Sequence, residues 1–387
     1  MPRPDSAFER DASQQDAGTD YPLNQLYFYL TEGCNLRCRH CWIAPKYQAV
    51  DASAAQAAHY AALDVGLFQS IVEQARPLGL SGVKLTGGEP LLHPQIDEIV
   101  AFVRSEGLGL TVETNGVLCT PSLAERVAGC RSAFVSVSLD GADAATHEWV
   151  RGVKGCFEAA LQGVRNLVAA GLKPQVIMSV MRGNVEQMEA VVRLAESLGA
   201  GSVKFNVVQP TARGEGLRDA GETLGIEELV DLGRWVEDPL AASTGLRLIY
   251  GHPPAFRPLS RMYGANGDGC GVCGILGILG VLADGSYALC GIGATVPELV
   301  FGHAREDRLA EVWRSAPVLE ELRQGLPERM GGVCGDCLFK GVCLGSCIAQ
   351  NYYSSGDLWA PFWYCEQARE KGLFPQTRTR ALQTSHR

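Results

Sequence analysis

Hydrophobic and polar positions follow two alternating periodicities between residues 23 and 208. Short apolar runs predict buried strands at 23–31, 82–86, 109–114, 133–140, 175–180 and 202–208. Amphipathic segments separate these runs, and several end at glycine, as helices often do; examples are 94–107, 156–171 and 184–199. Strands that alternate with helices of this length predict βαβ units and a parallel sheet in an α/β fold.

Six such units are two short of a closed eight-stranded barrel. We therefore expect a partial (β/α)6 TIM-like barrel that stays open along one side. In sheets of this kind ligands bind at the carboxyl ends of the strands. The loop that begins after residue 31 lies at that end of the first strand.

A different pattern follows the predicted barrel. Residues 274–290 predict a strand, an Asp284-Gly285 hairpin turn and a second strand that ends in Cys290. The predicted organisation is a disordered terminus at 1–20, a barrel domain at 21–240, a linker at 241–269, a small C-terminal domain at 270–370 and a tail at 371–387.

Composition excludes several classes of function. The 387 residues include 34 Lys and Arg against 43 Asp and Glu, a net charge of -9, which argues against a nucleic-acid partner. Residues 1–20 are polar and contain neither a signal peptide nor an anchor. The apolar run at 274–283 is too short to span a bilayer. We expect a cytoplasmic protein without a membrane partner.

Cysteine is unusually abundant, with 14 residues in a chain that has no predicted export signal. In a reducing compartment, clustered cysteines are more often metal ligands than disulfides. Eleven of them form two groups. Cys119, Cys130 and Cys156 stand alone, and we expect them to be small buried hydrophobic residues.

The first group lies in "TEGCNLRCRHCW" (31–42), where Cys34, Cys38 and Cys41 form the pattern C-x3-C-x2-C. A structural zinc site needs four ligands, and His40 could complete one only if this tight loop turned sharply. A [4Fe–4S] cluster can instead be held by three thiolates, which leaves one iron open to a cofactor or substrate. The spacing favours a cluster, with zinc as the alternative.

Gly87, Gly88 and Glu89 follow the second predicted strand. Two glycines allow a backbone to approach a ligand closely, and a carboxylate beside them can accept hydrogen bonds from an ammonium group. The segment alone would fit an ordinary turn equally well. Its position one βα unit after the cysteine loop makes a binding role more specific.

The cysteine loop together with Gly-Gly-Glu resembles the radical S-adenosylmethionine (SAM) enzymes, over roughly residues 21 to 240. The resemblance implies that Cys34, Cys38 and Cys41 are catalytic ligands of a cluster whose open iron is chelated by SAM. It also implies an external electron donor, whose electron cleaves SAM to a 5′-deoxyadenosyl radical that abstracts a substrate hydrogen atom.

The same resemblance suggests further SAM-binding residues besides Gly87, Gly88 and Glu89. His40 stands where the family usually has an aromatic residue near the adenine. Ser138 matches a serine that contacts SAM, and Arg151 matches an arginine that pairs with the SAM carboxylate. The alternatives are a strand-end hydroxyl for Ser138 and a surface arginine for Arg151. Asn115 is expected to shape the turn after the third strand.

The second cysteine group resembles the SPASM extension of peptide-modifying radical SAM enzymes. It comprises Cys270, Cys273, Cys290, Cys334, Cys337, Cys343, Cys347 and Cys365. The resemblance implies two auxiliary clusters, so that the chain would hold three [4Fe–4S] clusters. One would be held by Cys270, Cys273, Cys290 and Cys347, and the other by Cys334, Cys337, Cys343 and Cys365. The short spacing between Cys270 and Cys273 departs from the pattern, and a pair of zinc knuckles is the alternative.

The resemblance also suggests a substrate class, because SPASM-containing radical SAM enzymes mostly modify ribosomally made peptides. We expect a peptide maturase that forms a crosslink, a thioether or another carbon-centred modification on a precursor peptide. With 33 residues before Cys34, we expect leader recognition by a separate protein. The alternatives are a maturase of another protein such as a sulfatase, a small-molecule or tetrapyrrole enzyme, and a non-catalytic iron–sulfur or zinc protein.

One position separates the peptide maturase from the sulfatase maturase. In sulfatase-maturing members an aspartate follows the G-x4-C cysteine and serves as the base for the substrate proton. Here Gly291 follows Cys290, and Asp284 is better explained by the hairpin turn. We therefore expect no formylglycine formation.

Overall fold

The computed structural model describes residues 21–49, 60–264 and 272–380. The strands are β1 (Gln25–Tyr29), β2 (Gly33–Cys34), β3 (Lys46–Tyr47), β4 (Gly82–Thr86), β5 (Gly109–Thr114), β6 (Arg131–Ser138), β7 (Gln175–Val180), β8 (Ser202–Val207), β9 (Arg247–Tyr250), β10 (Ile278–Val281), β11 (Ser286–Ala288) and β12 (Val300–His303).

The α-helices are α1 (Val65–Ala75), α2 (Ile96–Ser105), α3 (Pro121–Ala128), α4 (Ala144–Arg151), α5 (Cys156–Ala169), α6 (Met188–Ser197), α7 (Arg213–Asp219), α8 (Ile226–Trp235), α9 (Leu259–Tyr263), α10 (Leu309–Ser315), α11 (Pro317–Gly325), α12 (Gly332–Asp336), α13 (Lys340–Cys343), α14 (Ile348–Ser355) and α15 (Trp363–Glu370). Short 3-10 and π turns join several of them.

All six predicted barrel strands are present, and they pair in parallel in the order β1-β4-β5-β6-β7-β8. The α/β partial-barrel fold is therefore confirmed. Two further parallel strands extend it, because β9 pairs with β8 and β10 pairs with β1. Strand β9 lies inside 241–269, so the segment assigned to a linker also contributes a strand to the sheet.

Each barrel strand has one face in the hydrophobic core and one face that is more polar. In β8, Val203, Phe205 and Val207 belong to the hydrophobic core, whereas Lys204 and Asn206 alternate with them and are half-buried. Successive side chains of a strand point to opposite faces. The apolar face packs against the helices. The polar face lines the concave side of the sheet, which we call the lumen.

The C-terminal hairpin continues the same sheet. Strands β10 and β11 are antiparallel, and the Ser286 amide donates a 2.9 Å hydrogen bond to Oδ1 of Asp284 at the turn. Gly285 has a φ of 99°, a conformation that favours glycine. This confirms the turn role expected for Asp284. Because β10 pairs with β1, the C-terminal region is attached directly to the first barrel strand.

In the part of the chain that the structure describes, no helix is both long and apolar enough to cross a membrane.

Gly280 provides a test of the packing within the C-terminal hairpin. A Cβ at this position would come within 2.8 Å of Cys290 Cα, so Gly280→Ala should force the two hairpin strands apart. We expect a loss of about 1–3 kcal/mol in the free energy of unfolding, measured by denaturant titration. Gly216→Ala in α7 is the matched control, since nothing lies within 4 Å of its added Cβ. Equal stability of the two variants would contradict this view of the hairpin packing.

Candidate functional site

The cysteine loop starts directly after β1. Cys34 ends the short strand β2, which pairs in parallel with β3, and the loop between them contains Cys38 and Cys41. Cys34 and Cys38 are buried and Cys41 is half-buried, and all three pack in one cluster that also includes Leu36. Burial raises the pKa of the Cys34 and Cys38 thiols. The structure therefore gathers the three thiols at the carboxyl end of β1.

The two glycines after β4 allow close contact with the chain that leads into the cysteine loop. The Gly88 amide donates to the Thr31 carbonyl and the Glu89 amide donates to the Gly33 carbonyl, both at 2.9 Å. A Cβ on Gly88 would overlap the Gly33 carbonyl oxygen, and Gly87 has a φ of 126°. The glycines are thus required by packing against this loop, whatever ligand the segment binds.

Glu89 lies in the interior, with 1% of its surface exposed. Its carboxylate accepts hydrogen bonds from the Thr114 hydroxyl at 2.6 Å, the Asn115 amide at 2.8 Å and the Leu91 amide at 3.1 Å. Burial raises the pKa of Glu89 to about 7 despite these bonds. A buried carboxyl poised near neutrality can respond strongly to an incoming amino group.

Arg151 points toward the cysteine loop from the end of α4. It is buried, which excludes the surface alternative, and its Nη1 lies 3.5 Å from the Cys38 Sγ. Its Nε lies 2.7 Å from Oδ2 of Asp140, a fully buried carboxylate. Burial alone would raise the pKa of Asp140, but the Arg151 guanidinium holds it below its usual value.

Asp140 is the functional candidate that the sequence analysis missed. It follows β6, its Oδ1 accepts a 2.8 Å hydrogen bond from the Ser179 amide, and its own amide donates to the His147 ring. These contacts fix the carboxylate that orients Arg151. The signal was present in "SVSLDG", where an acidic residue follows an apolar strand beside Ser138.

His40 and Ser138 both lie near this network. The His40 Nε2 is 3.9 Å from Oδ2 of Asp140, while its Nδ1 is buried and has no hydrogen-bond partner among the described residues. Burial lowers the pKa of His40 to about 4, so the ring is neutral and Nδ1 or Nε2 is left to meet a ligand. Ser138 ends β6 on the lumen face and is half-buried.

Two other contacts shape the mouth of the site. Asn115 accepts a 3.0 Å hydrogen bond from the Val117 amide and donates to Asn35 at 2.7 Å, which agrees with the turn role expected for it. Arg213, which no motif indicated, donates to the carbonyls of Cys38 at 3.2 Å and Pro45 at 2.9 Å. Arg213 therefore fixes the cysteine loop against α7.

Four C-terminal cysteines surround one cavity. This cavity encloses roughly 300 Å³ that is not filled by atoms, part of it open to solvent. Its wall includes Cys334, Cys337, Cys343 and Cys365. Burial raises the pKa of Cys334 to about 11 and also raises the pKa of Cys337 and Cys365. The four thiols that the sequence analysis assigned to one auxiliary cluster are thus neighbours.

The other set gathers between the hairpin and α14. Cys273 and Cys290 are each close enough to Cys347 for its charge to raise their thiol pKa, after the larger effect of burial. Cys270 lies outside the described residues, so its assignment stays a prediction. The set faces the barrel, because Lys84 of β4 lies near both Cys273 and Cys290.

Comparison with known proteins identifies the family. The model of the radical SAM superfamily matches residues 28–196, and that of an iron–sulfur cluster-binding domain, SPASM, matches residues 270–338. An AdoMet-dependent heme synthase of Methanosarcina barkeri is 30% identical over 348 residues, which cover 87% of this chain and 94% of that protein. The chain is a radical SAM enzyme with a SPASM domain.

One more relative and one solved structure each align with most of the chain. The mycofactocin maturase MftC of Mycobacterium tuberculosis is 28% identical over 380 residues, covering 96% of this chain and 90% of that protein. The crystal structure of Streptococcus suis SuiB bound to S-adenosylmethionine superposes with a TM-score of 0.68 at 18% identity. That superposition covers 89% of this chain and 77% of SuiB and supports the fold.

The residues of this radical SAM enzyme fit the groups that its family binds. Thiolates are the ligands that iron–sulfur clusters take, and the loop and the SPASM domain each bring several thiols into one neighbourhood. Among the described residues no three His, Cys, Asp or Glu side chains converge closely enough to hold a single metal ion. The buried Nδ1 of His40 is an unpaired polar atom beside the cysteine loop. Buried polar atoms without a partner are rare and call for a ligand or water. The three lone cysteines, Cys119, Cys130 and Cys156, are buried, as expected.

Gly291 of the SPASM domain has no room for a side chain. A Cβ there would overlap the ring of Tyr29, the last residue of β1, which is 7% exposed. Tyr29 also makes an edge-to-face contact with Trp42, at 6.4 Å between ring centroids. Burial raises the pKa of Tyr29 well above its usual value, so the phenol stays neutral. A neutral aromatic ring therefore occupies the place that an aspartate at position 291 would need.

The raised pKa of Glu89 predicts a pH-dependent affinity for SAM. The ionised Glu89 carboxylate is a stronger hydrogen-bond acceptor for the SAM amino group than the protonated carboxyl. Burial raises the pKa of Glu89 to about 7, so the residue gains its proton as the pH falls through neutrality. Between pH 8 and pH 6 the contribution of Glu89 to SAM affinity should fall by roughly tenfold.

Equilibrium dialysis with SAM on the reconstituted enzyme measures this affinity. Glu89→Gln is the control, because its amide cannot titrate, and the difference between the two profiles isolates the carboxylate. Parallel profiles for wild type and Glu89→Gln would contradict the assignment.

Proposed function

We propose that this radical SAM/SPASM enzyme modifies a ribosomally synthesised precursor peptide. The observation that carries the proposal is a sequence that contains all eight SPASM cysteines and aligns with the mycofactocin maturase MftC over 96% of its length. A crosslink, a thioether or another carbon-centred modification is the expected product. A separate leader-recognition protein and an external electron donor would be the other partners.

The proposed roles of the individual side chains follow from their positions. Cys34, Cys38 and Cys41 would hold the radical SAM cluster, and Glu89 would accept hydrogen bonds from the SAM amino group. Arg151, oriented by Asp140 at 2.7 Å, would place its positive charge beside Cys38 and the SAM carboxylate. When bound, the cluster and SAM supply a one-electron source and a group that abstracts hydrogen atoms. The surrounding residues would exclude water from that reaction, because Cys34, Cys38 and Glu89 are all buried.

His40, Gly87, Gly88 and Ser138 complete the proposed SAM site. The His40 ring, neutral at pH 7, would lie near the adenine. The Ser138 hydroxyl, at the carboxyl end of β6, would reach SAM from the lumen face. The two glycines would bring the Glu89 backbone close to the cysteine loop.

Synthesis of heme or a related tetrapyrrole is the second candidate. It is favoured by the 30% identity to the AdoMet-dependent heme synthase of Methanosarcina barkeri over 94% of that protein. The same radical chemistry would act on a ring compound in place of a peptide.

The three-cluster assignment predicts the iron content of the protein. Anaerobically reconstituted enzyme should bind about twelve irons, on the order of four per cubane. The triple variant Cys34→Ala, Cys38→Ala, Cys41→Ala should keep roughly eight irons in the SPASM domain and form no 5′-deoxyadenosine. Iron analysis and chromatography of the reaction products measure both quantities. Undiminished SAM cleavage by the triple variant would rule out this site, and zinc in place of iron would rule out the clusters.

A substrate comparison distinguishes the candidate functions. The reconstituted enzyme is incubated with SAM, reductant and one of three substrates: the peptide encoded by a small reading frame beside the gene, a sulfatase peptide, or a tetrapyrrole precursor of heme. Mass spectrometry should detect a modified precursor peptide and an unchanged sulfatase peptide. Gly291 supplies no base for the sulfatase reaction, and Tyr29 fills the space beside it. Conversion of the sulfatase residue to an aldehyde, or turnover of the tetrapyrrole alone, would overturn the proposal.

A further inference from the structure

The lumen of the barrel carries two lysines whose charge the family motifs do not explain. Lys84 of β4 and Lys204 of β8 both alternate with core residues, so both point to the concave face of the sheet. Lys84 forms a 2.6 Å ion pair with Glu113 of β5 and lies 4.6 Å from the centroid of the Tyr27 ring. The first lysine therefore already has an anionic partner.

Lys204 is in a different situation. Glu113 is close enough to influence its charge, but so are the cations Lys84 and Arg257. Among the described residues no carboxylate lies within 4.0 Å of the Lys204 ammonium, and burial lowers the pKa of this lysine. Removing an ammonium group from water without a paired anion costs free energy. A second anion at this point of the lumen would offset that cost.

The surroundings of Lys84 also indicate a ligand in the lumen. Phe134 of β6 lies in the same row of strand partners as Lys84 and Thr111, and 42% of its surface is exposed on the lumen face. The lumen thus presents an uncovered aromatic ring and an excess of positive charge. Sites for small organic groups combine apolar walls with a few placed polar groups in this way.

We propose that Lys204 binds a carboxylate of the substrate inside the barrel lumen. The neighbouring ion pair of Lys84 and Glu113 keeps the Lys84 ammonium in place. The inference rests on the proposed function, since the carboxylate is assigned to the precursor peptide, at its C-terminus or on an acidic side chain. Lys204 is thus a substrate-binding residue that sets specificity, and it lies below the strand ends that hold the cysteine loop.

A chemical footprint tests the anion site without any knowledge of the peptide. Holoenzyme is treated briefly with acetic anhydride, and acetylation of each lysine is measured by peptide mass mapping. Glutarate should protect Lys204 several-fold more than glutaramide in sodium chloride of equal ionic strength. Lys173, exposed before β7 at the opposite end of the barrel, is the internal standard and should not change. Equal acetylation of Lys204 under both conditions would overturn the proposal.

Variants then test the role of the site in catalysis. Lys204→Met should raise the KM for the precursor by about tenfold, as expected for the loss of a charge-assisted hydrogen bond, and Lys204→Arg should restore most of it. The bound carboxylate is identified with precursors in which the C-terminus or one acidic side chain at a time is replaced by an amide. The precursor that lacks the bound carboxylate should have the same KM with wild type and with Lys204→Met. Lys173→Met is the matched control, and thermal unfolding shows whether each variant is folded.

The outcomes separate this inference from the proposed function. Protection of Lys204 by glutarate without any turnover of the precursor would support the anion site and refute the peptide substrate. Turnover of the precursor with equal KM for Lys204→Met and Lys173→Met would support the function and overturn the anion site. Protection by a tetrapyrrole bearing propionates, but not by the precursor, would overturn the assignment of the carboxylate to a peptide.

Discussion

The site depends on the contact between the backbone after β1 and the backbone after β4. Two amides of the Gly-Gly-Glu segment donate to the carbonyls of Thr31 and Gly33, and Gly88 lies so close to Gly33 that a side chain would not fit. This contact fixes the distance between the cysteine loop and the Glu89 carboxylate. Because the segments follow adjacent parallel strands, the pairing of β1 with β4 sets the geometry of both halves of the proposed SAM site.

Strand β1 also transmits this geometry to the SPASM domain. It lies between β4 and β10, so one strand pairs with the barrel on one side and with the SPASM hairpin on the other. Its last residue, Tyr29, packs against Trp42 beside Cys41 and against Gly291 beside Cys290. The position of Cys290 in the SPASM domain and that of Cys41 in the cysteine loop are therefore linked through strand β1.

The sequence predicted the elements whose signal is local. The six barrel strands follow from apolar runs, and the cysteine loop and Gly-Gly-Glu follow from spacing. Strand β9 was not predicted, because four residues that begin with the exposed Arg247 give too short a pattern. The pairing of β10 with β1 joins residues about 250 positions apart, which no local pattern specifies.

Residues that act through tertiary contacts were harder to find. Asp140 lies two positions after Ser138, yet its role depends on Arg151 and His147 of α4 and on Ser179 of β7, which come from two different elements. Arg213 gave no signal at all, because its two acceptors are backbone carbonyls of the cysteine loop. The lumen charges were equally hidden, since a lysine in a strand pattern is ordinarily an exposed residue.

The protonation state of the thiols links the fold to the proposed clusters. Burial raises the pKa of thiols in both the cysteine loop and the SPASM domain, so without metal they stay protonated and neutral at pH 7. A metal ligand must be a thiolate, which means that cluster assembly releases protons and stabilises the folded state by its binding free energy. Lys84, beside Cys273 and Cys290, favours the negative charge that those sulfurs then acquire. Among the lumen residues that the structure describes, Lys84 is shared between Glu113 and the thiols, which leaves Lys204 for the proposed substrate anion.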